Sequence, residues 1–260
     1  MPDITLILAG LFLPLFPLSM VFNALFDRMQ HVALRCLLLL GWPQIGLAII
    51  HSSDINVSSI PTWFITWALA TSLLYAFRML SLRAVGQWNS FLATSMWATL
   101  WLASSNTSPE MQQLYALGIS APLVLLAFLS AGLEKRFGAA YTGLYGGLAQ
   151  SLPRFTGLLV FIVLAAIATP VFPGFFIMLK LIITSSAAMP LATLSLLVIW
   201  LLWSWAGVKL LQGLIVGTAS QSEVTGVNAL KDFNLITSWS YTLLLIMLIV
   251  SSAYLTGGLS

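Results

Sequence analysis

Long apolar stretches separated by short polar segments make up almost the whole chain. A helix needs about 20 consecutive apolar residues to cross the hydrocarbon core of a bilayer. By that criterion the pattern predicts about eight transmembrane helices, over residues 5–26, 33–51, 61–80, 87–104, 113–133, 155–186, 190–216 and 237–256. The fold class that follows is all-α and integral to the membrane.

The composition indicates the same class. Of the 260 residues, 60% are hydrophobic and 7% are charged, and the mean hydropathy is +1.00. A water-soluble domain of this length cannot bury so much apolar surface. We therefore expect the lipid bilayer to surround most of the chain.

The distribution of basic residues predicts an orientation. All but one of the 10 Lys and Arg residues lie in or beside alternate loops, and they are Arg28, Arg35, Arg78, Arg83, Lys135, Arg136, Arg154, Lys209 and Lys231. The opposite loops hold His51, Asp54 and Glu110. Because Lys and Arg concentrate in cytoplasmic loops, we expect these loops in the cytoplasm and both termini outside. Asp3 is the only charge before the first span, so no cleaved signal peptide is expected.

The segment 155–186 is too long for one regular crossing. About 32 helical residues would extend for about 48 Å, against a hydrocarbon core of about 30 Å. Pro170 and Pro173 each remove a backbone donor, so the helix should break at Pro170, Pro173 and Gly174. Broken helices recur in ion and substrate carriers. The alternative is a pair of helices joined by a re-entrant turn with a structural role only.

The tenth basic residue, Lys180, lies inside this apolar segment. A lysine at such depth costs several kcal/mol unless it faces a bundle interior, a cavity or a partner. It could then take up and release a proton in an ion pathway. Alternatively, its long side chain extends to the membrane interface as an anchor. The sequence leaves both interpretations open.

The uncharged polar residues within the predicted spans could bond water or neighbouring helices, and those singled out are Asn23, Gln44, Asn89, Ser120 and Thr156. Gln44, which follows Pro43, and Ser120 are with Lys180 the candidates for an ion pathway. Asp, Glu and His are absent from the interior of the spans, whereas a proton pathway usually contains a relay of such groups.

The Trp residues are expected to be ordinary membrane contacts. Four of them lie near predicted span ends, as interfacial aromatic belts require, and they are Trp63, Trp88, Trp101 and Trp239. Trp200, Trp203 and Trp205 crowd the seventh span, where we expect them to face lipid or a partner.

The sequence carries none of the usual signs of an enzyme. A single cysteine, Cys36, excludes an internal disulfide, and the two His residues form no metal-ligand cluster. A nucleophile with a paired base and a glycine-rich phosphate loop are also absent. We expect no active site, metal, cofactor or nucleic-acid partner.

Four motifs follow one another in the second part of the chain. They are Gly118-Ile119-Ser120-Ala121, Gly132-Leu133-Glu134-Lys135, Gly146-Gly147-Leu148-Ala149 with Leu152-Pro153-Arg154, and Pro170-Val171-Phe172-Pro173-Gly174-Phe175-Phe176. In order and spacing they resemble the second half of the antiporter-like, proton-conducting membrane subunits. Those subunits occur in respiratory complex I, multisubunit sodium/proton antiporters, membrane-bound hydrogenases and bicarbonate-uptake complexes. The resemblance divides the chain into an N-terminal four-helix membrane region, 1–113, and an antiporter-like region, 114–260.

The resemblance implies a scaffold more strongly than an activity. Members of the family have about fourteen spans in two inverted five-helix repeats, each with a broken helix and an embedded Lys or Glu. This chain has room for one repeat and some flanking helices. Met178 stands where the family has its Lys or Glu, and Lys180 points about 200° away round the helix. The family's histidine before the first motif is replaced by Leu117.

Three interpretations of the function remain open. The first is a membrane subunit of a larger proton- or cation-translocating complex of the bacterial inner membrane, with a docking role and an auxiliary part in proton passage. Its partners would be other membrane subunits, including another antiporter-like chain, and a large cytoplasmic protein. The second is an ion-conducting half that couples a proton or sodium gradient to inorganic-carbon uptake or to a redox partner. The third is an independent small-solute transporter or an assembly factor.

Overall fold

The computed structural model describes residues 2–52, 60–104, 107–143, 147–216 and 232–257, and it is almost entirely helical in these ranges. Asp54, Gly146 and Lys231, named above, lie outside them. The helices are α1 Pro2–Phe12, α2 Ser19–Arg28, α3 Val32–Ser52, α4 Thr62–Met79, α5 Val85–Ser104, α6 Pro109–Phe137, α7 Leu148–Ser151, α8 Pro153–Ala166, α9 Pro173–Ala188, α10 Pro190–Ile215 and α11 Leu235–Gly257.

The helices confirm the all-α membrane class. By length and composition, α3, α6, α10 and α11 are each able to cross a bilayer. The shorter apolar helices α8 and α9 together make up the predicted span 155–186. The boundary between 1–113 and 114–260 falls within α6 and stays a prediction.

Helix α5 is the axis of the bundle. Every residue from Leu92 to Ser104 is buried, on all faces of the helix. A helix buried all round is surrounded by other helices, and here α2, α4 and α6 pack against it. Side chains on α5 are therefore the ones best placed to connect the two parts of the chain.

The helix of residues 153–188 is broken as predicted. Helix α8 ends at Ala166 and α9 begins at Pro173. Between them Ala168 and Val171 have φ angles of 58° and 85°, a strained region for residues with a Cβ. The indole Nε1 of Trp200 donates to the Ala168 carbonyl at 3.1 Å. A backbone acceptor freed by the break is thus satisfied inside the bundle.

The first span is also broken, which the sequence analysis missed. It predicts one helix over 5–26, whereas α1 ends at Phe12 and α2 begins at Ser19. Pro14 and Pro17 have the same spacing as Pro170 and Pro173, and each removes a backbone donor. A phenylalanine precedes the second proline in both segments. Because the predicted span had the length of one crossing, its length gave no sign of a break.

Three indole N–H groups donate to carbonyls in or beside the first break. The pairs are Trp42 with Leu11 at 3.1 Å, Trp101 with Leu13 at 3.0 Å, and Trp67 with Phe16 at 2.8 Å. The Phe16 N–H in turn donates to the Thr71 hydroxyl at 3.0 Å. Side chains of α3, α4 and α5 therefore replace the hydrogen bonds that the break removes.

The expected positions of the Trp residues are right for some and wrong for others, since Trp63 and Trp239 are exposed whereas Trp88 and Trp101 are buried. Trp101 is 0% exposed and lies at the first break, not at a membrane interface. Trp200 and Trp203 also turn inward to donate hydrogen bonds. Trp205, at 60% exposed, faces outward as expected. A sequence of closely spaced Trp residues does not show which face of its helix each one occupies.

We predict that the Trp101 hydrogen bond stabilises the break. Trp101→Phe should lower the free energy of unfolding, measured in lipid-free detergent, by about 1–3 kcal/mol more than Trp88→Phe does. Trp88 is the matched control because it is equally buried but its Nε1 has no hydrogen-bond partner among the described residues. Equal losses for the two variants would show that only ring volume matters.

Candidate functional site

A set of buried hydroxyl, amide and indole groups joins five helices at the centre of the bundle. We call it the polar core and define it as Ser19, Asn23, Ser72, Tyr75, Asn89, Thr94, Ser95, Trp97, Ser120 and Trp203. Its members on α2, α4, α6 and α10 each form a hydrogen bond with a member on a different helix. The polar core is the strongest candidate for a functional site in the described chain.

The polar core begins at the second half of the first broken helix. The Ser19 and Tyr75 hydroxyls are 2.8 Å apart, which joins α2 to α4. One turn further on, Asn23 Nδ2 donates to the Thr94 hydroxyl of α5 at 3.2 Å. The side of α2 that follows the break is therefore bonded to two neighbouring helices.

Ser95, which follows Thr94 on α5, forms hydrogen bonds with two further helices. Its hydroxyl donates to the Ser72 carbonyl at 2.8 Å, and the Ser72 hydroxyl donates back to the Ser95 carbonyl at the same distance. The Trp203 Nε1 of α10 donates to the Ser95 hydroxyl at 2.8 Å. One small side chain thus connects α4, α5 and α10.

Two buried oxygen atoms have no hydrogen-bond partner among the described residues. They are Asn89 Oδ1, on α5, and Thr156 Oγ1, on α8. Asn89 Nδ2 donates to the Leu123 carbonyl of α6 at 2.9 Å, so the amide is half satisfied. Buried polar atoms of this kind are the usual positions of bound water. Water could enter the bundle at these two places.

The polar core carries no formal charge at pH 7. Its members are Ser, Thr, Asn, Tyr and Trp, and every fully buried polar side chain in the described ranges is also uncharged. Such groups hold water and bind helices together, but they do not exchange protons as a relay of Asp, Glu, His or Lys does. The chemistry of the site is therefore hydrogen bonding.

The structure places the polar candidates Gln44 and Ser120 in helix contacts. Gln44 Nε2 of α3 donates to the Gln113 carbonyl of α6 at 3.0 Å. Ser120 is fully buried and accepts a hydrogen bond from Trp97 Nε1 at 3.1 Å. The two bonds join different helix pairs, so these residues do not form one site. Both act as the helix-joining groups that polar residues in membranes commonly are.

Lys180 lies on α9, away from the bundle centre. Met178 is 2% exposed and occupies the buried face of the helix, whereas Lys180 is half-buried. Two residues correspond to about 200° of rotation, so the two side chains leave the helix in nearly opposite directions. The inward position after the break is therefore apolar.

Leu117, which the sequence analysis aligned with a histidine, is also apolar and lies beside the second break. It lines a cavity of about 280 Å³ together with Gly118, Pro173 and Tyr254. The cavity lies between α6, α9 and α11. Leu117 offers no group that accepts or releases a proton.

Apart from Lys180, the described charges lie in loops or towards the helix ends. Arg35 Nη1 is 3.1 Å from Glu134 Oε1, which joins α3 to α6. The Asp232 carboxylate accepts the N–H groups of Arg154 and Phe155 at 2.8 Å and 3.2 Å. It thereby caps the positive N-terminus of α8. We call this side of the bundle, with the Lys and Arg residues of the alternate loops, the basic end.

We predict that Ser95 holds the polar core together. Ser95→Ala leaves the buried Trp203 N–H without an acceptor and should lower the free energy of unfolding by about 1–3 kcal/mol. Ser90→Ala is the matched control on the same helix, because the buried Ser90 hydroxyl bonds only the Gln87 carbonyl one turn away. A smaller loss for Ser95→Ala than for Ser90→Ala would contradict this role.

Solved structures share this arrangement of helices. A chain in the structure of the Mrp complex from Dietzia sp. DQ12-45-1b matches with a TM-score of 0.80 and 17% identity, over 97% of this chain and 55% of that chain. A chain of respiratory complex I from Thermus thermophilus with bound NADH matches with a TM-score of 0.80 and 18% identity, over 96% and 54%. No protein-family model and no curated protein match the sequence.

The chain thus spans about half the length of the solved chains it matches. At this level of identity the likeness concerns the fold. It covers the first four spans as well as the region 114–260 in which the sequence motifs lie. The fold that the resemblance implies is confirmed: the chain shares its arrangement of helices with chains of these two membrane complexes.

Proposed function

We propose that the chain is a membrane subunit of a larger proton- or cation-translocating complex, in which it provides a scaffold and a docking surface. The observation that carries the proposal is the contrast between the two broken helices and the groups around them. Both breaks are retained and hydrogen-bonded, whereas Met178 and the polar core place no charge inside the bundle. The chain would act without an enzyme active site of its own.

The shared fold supports this role. The matched chains belong to the Mrp complex and to respiratory complex I, so the scaffold is one that is built into multisubunit assemblies. A scaffold without an internal charge relay keeps its shape and its contacts with neighbours. It would leave translocation to the partner subunits.

The proposed location is the bacterial inner membrane, with the basic end in the cytoplasm and both termini outside. The enrichment of Lys and Arg on the cytoplasmic side of inner-membrane proteins supports this orientation. A large cytoplasmic partner would then meet the basic end.

The proposed membrane partner is another antiporter-like chain, and the exposed face of α3 is the surface we assign to it. Leu37 and Ile45 are exposed on this face, and Gly41 lies between them. A Cβ added at Gly41 would meet no described atom within 4 Å. Small residues on a membrane helix allow a second helix to approach closely. The position would be open in the isolated chain and filled in the complex.

We predict that Gly41→Leu weakens this contact. The tagged variant, purified in mild detergent from native membranes, should retain roughly tenfold less of its stoichiometric membrane partner than the wild type, as measured by mass spectrometry. The cause would be the clash of the leucine side chain with the partner helix.

Gly157→Leu on α8 is the matched control, since a Cβ there also meets no described atom within 4 Å. It should leave co-purification unchanged. Equal loss in both variants would assign the effect to the chain's own stability. Recovery of the wild type without any partner would contradict the proposed function.

A further inference from the structure

Three pockets lie along the seam between α4 and α10, and the one at the basic end shares no lining residue with the other two. We call the three together the seam groove. Its middle section, about 510 Å³, lies between Leu73 and Phe77 of α4 and Val198 and Leu202 of α10. A section of about 400 Å³ continues from Leu73 towards the starts of both helices. A section of about 1000 Å³ lies at the basic end.

Positive charge is found in the seam groove at one end only. Arg83 and Lys209 line the section at the basic end. The middle section and the section at the opposite end are lined, among the described residues, by uncharged side chains. An occupant that fits this distribution has an anionic group at one end and an apolar body.

Lys209 is held in position to bind such a group. Its Nζ donates to the Leu80 carbonyl at the end of α4, at 2.9 Å. A lysine ammonium has three donors, so this bond leaves others that can face the groove. The contact also satisfies one of the carbonyls that a helix C-terminus leaves without a partner.

The dimensions of the groove fit one leaflet of a bilayer. From Lys209 to Val198 is a distance of about 16 Å along a helix, and one leaflet of the hydrocarbon core is about 15 Å thick. Phe77 and Val198 are both exposed at the surface that faces away from the bundle. An acyl chain could therefore enter from the side and lie between the helices.

We propose that the seam groove binds an anionic phospholipid of the leaflet at the basic end. The phosphate contacts Arg83 and Lys209, and an acyl chain lies along Phe77, Val198 and Leu202. An apolar partner helix would leave Arg83 and Lys209 without an anion, and a soluble phosphate compound would leave the middle section empty. This site is independent of the proposed function and adds a lipid to the partners of the chain.

The test is native mass spectrometry of the purified, delipidated chain. The probes are phosphatidylglycerol and phosphatidylcholine with identical acyl chains, and glycerol 3-phosphate as the headgroup alone. We expect phosphatidylglycerol to bind more tightly than both other probes. The double variant Arg83→Gln, Lys209→Gln should bind it roughly 30-fold more weakly, about fivefold for each cation removed.

Two further variants make the result specific. The control Arg28→Gln, Lys135→Gln removes the same charge from exposed positions outside the groove and should keep wild-type affinity. Val198→Trp fills the middle section and should weaken phosphatidylglycerol binding without changing the binding of glycerol 3-phosphate. It also provides a test that leaves the cations in place if the double variant fails to fold.

Three results would overturn the proposal. Equal affinity for phosphatidylcholine and phosphatidylglycerol would show that the negative charge of the lipid does not contribute to binding. Equal affinity for glycerol 3-phosphate would indicate a site for a soluble anion. Photocrosslinking from position 198 to a membrane protein in native membranes would show that a partner subunit covers the groove.

Discussion

The need to satisfy backbone groups inside a bilayer determines the centre of this structure. Each of two membrane helices is interrupted by a pair of prolines, and the freed carbonyls have no water available in the hydrocarbon core. Indole N–H groups from neighbouring helices supply the missing donors, Trp101 at the first break and Trp200 at the second. The bundle depends on these bonds because the breaks persist only while the surrounding helices hold them.

The polar core follows from the same requirement. Two neighbouring hydroxyl groups on α5 make these bonds: Thr94 bonds the second half of the first broken helix, and Ser95 bonds α4 and α10. These bonds fix the positions of the helices without placing a charge in the membrane. The helices can therefore keep this arrangement with an apolar side chain, the buried Met178, on the inward face of α9.

The sequence predicted those elements that leave a signal in length or hydropathy. The second break was predictable because the 155–186 segment exceeds the thickness of the bilayer and contains Pro170 and Pro173. The first break was not, because its span has a normal length. The same proline spacing at Pro14 and Pro17 was a signal that could have revealed it.

The polar core was predicted only in part, because the sequence named Asn23, Asn89 and Ser120 as groups that could bond neighbouring helices but did not show where they meet the other members. An amphipathic pattern identifies a face only when one side of a helix is polar, and α5 is buried on every side. Ser95 and Thr94 therefore look like any other small residues in an apolar span. The direction in which Trp101 and Trp203 point is decided by tertiary contacts, which local sequence does not encode.

The central claim is that the chain contributes structure, and not an ion relay, to its complex. The most direct test is proton and sodium flux through the purified complex in proteoliposomes with Lys180→Ala, compared with Lys135→Ala. The account predicts wild-type flux for both variants, with assembly intact. Loss of flux in Lys180→Ala alone, in a fully assembled complex, would contradict the account and show that the chain conducts ions through Lys180.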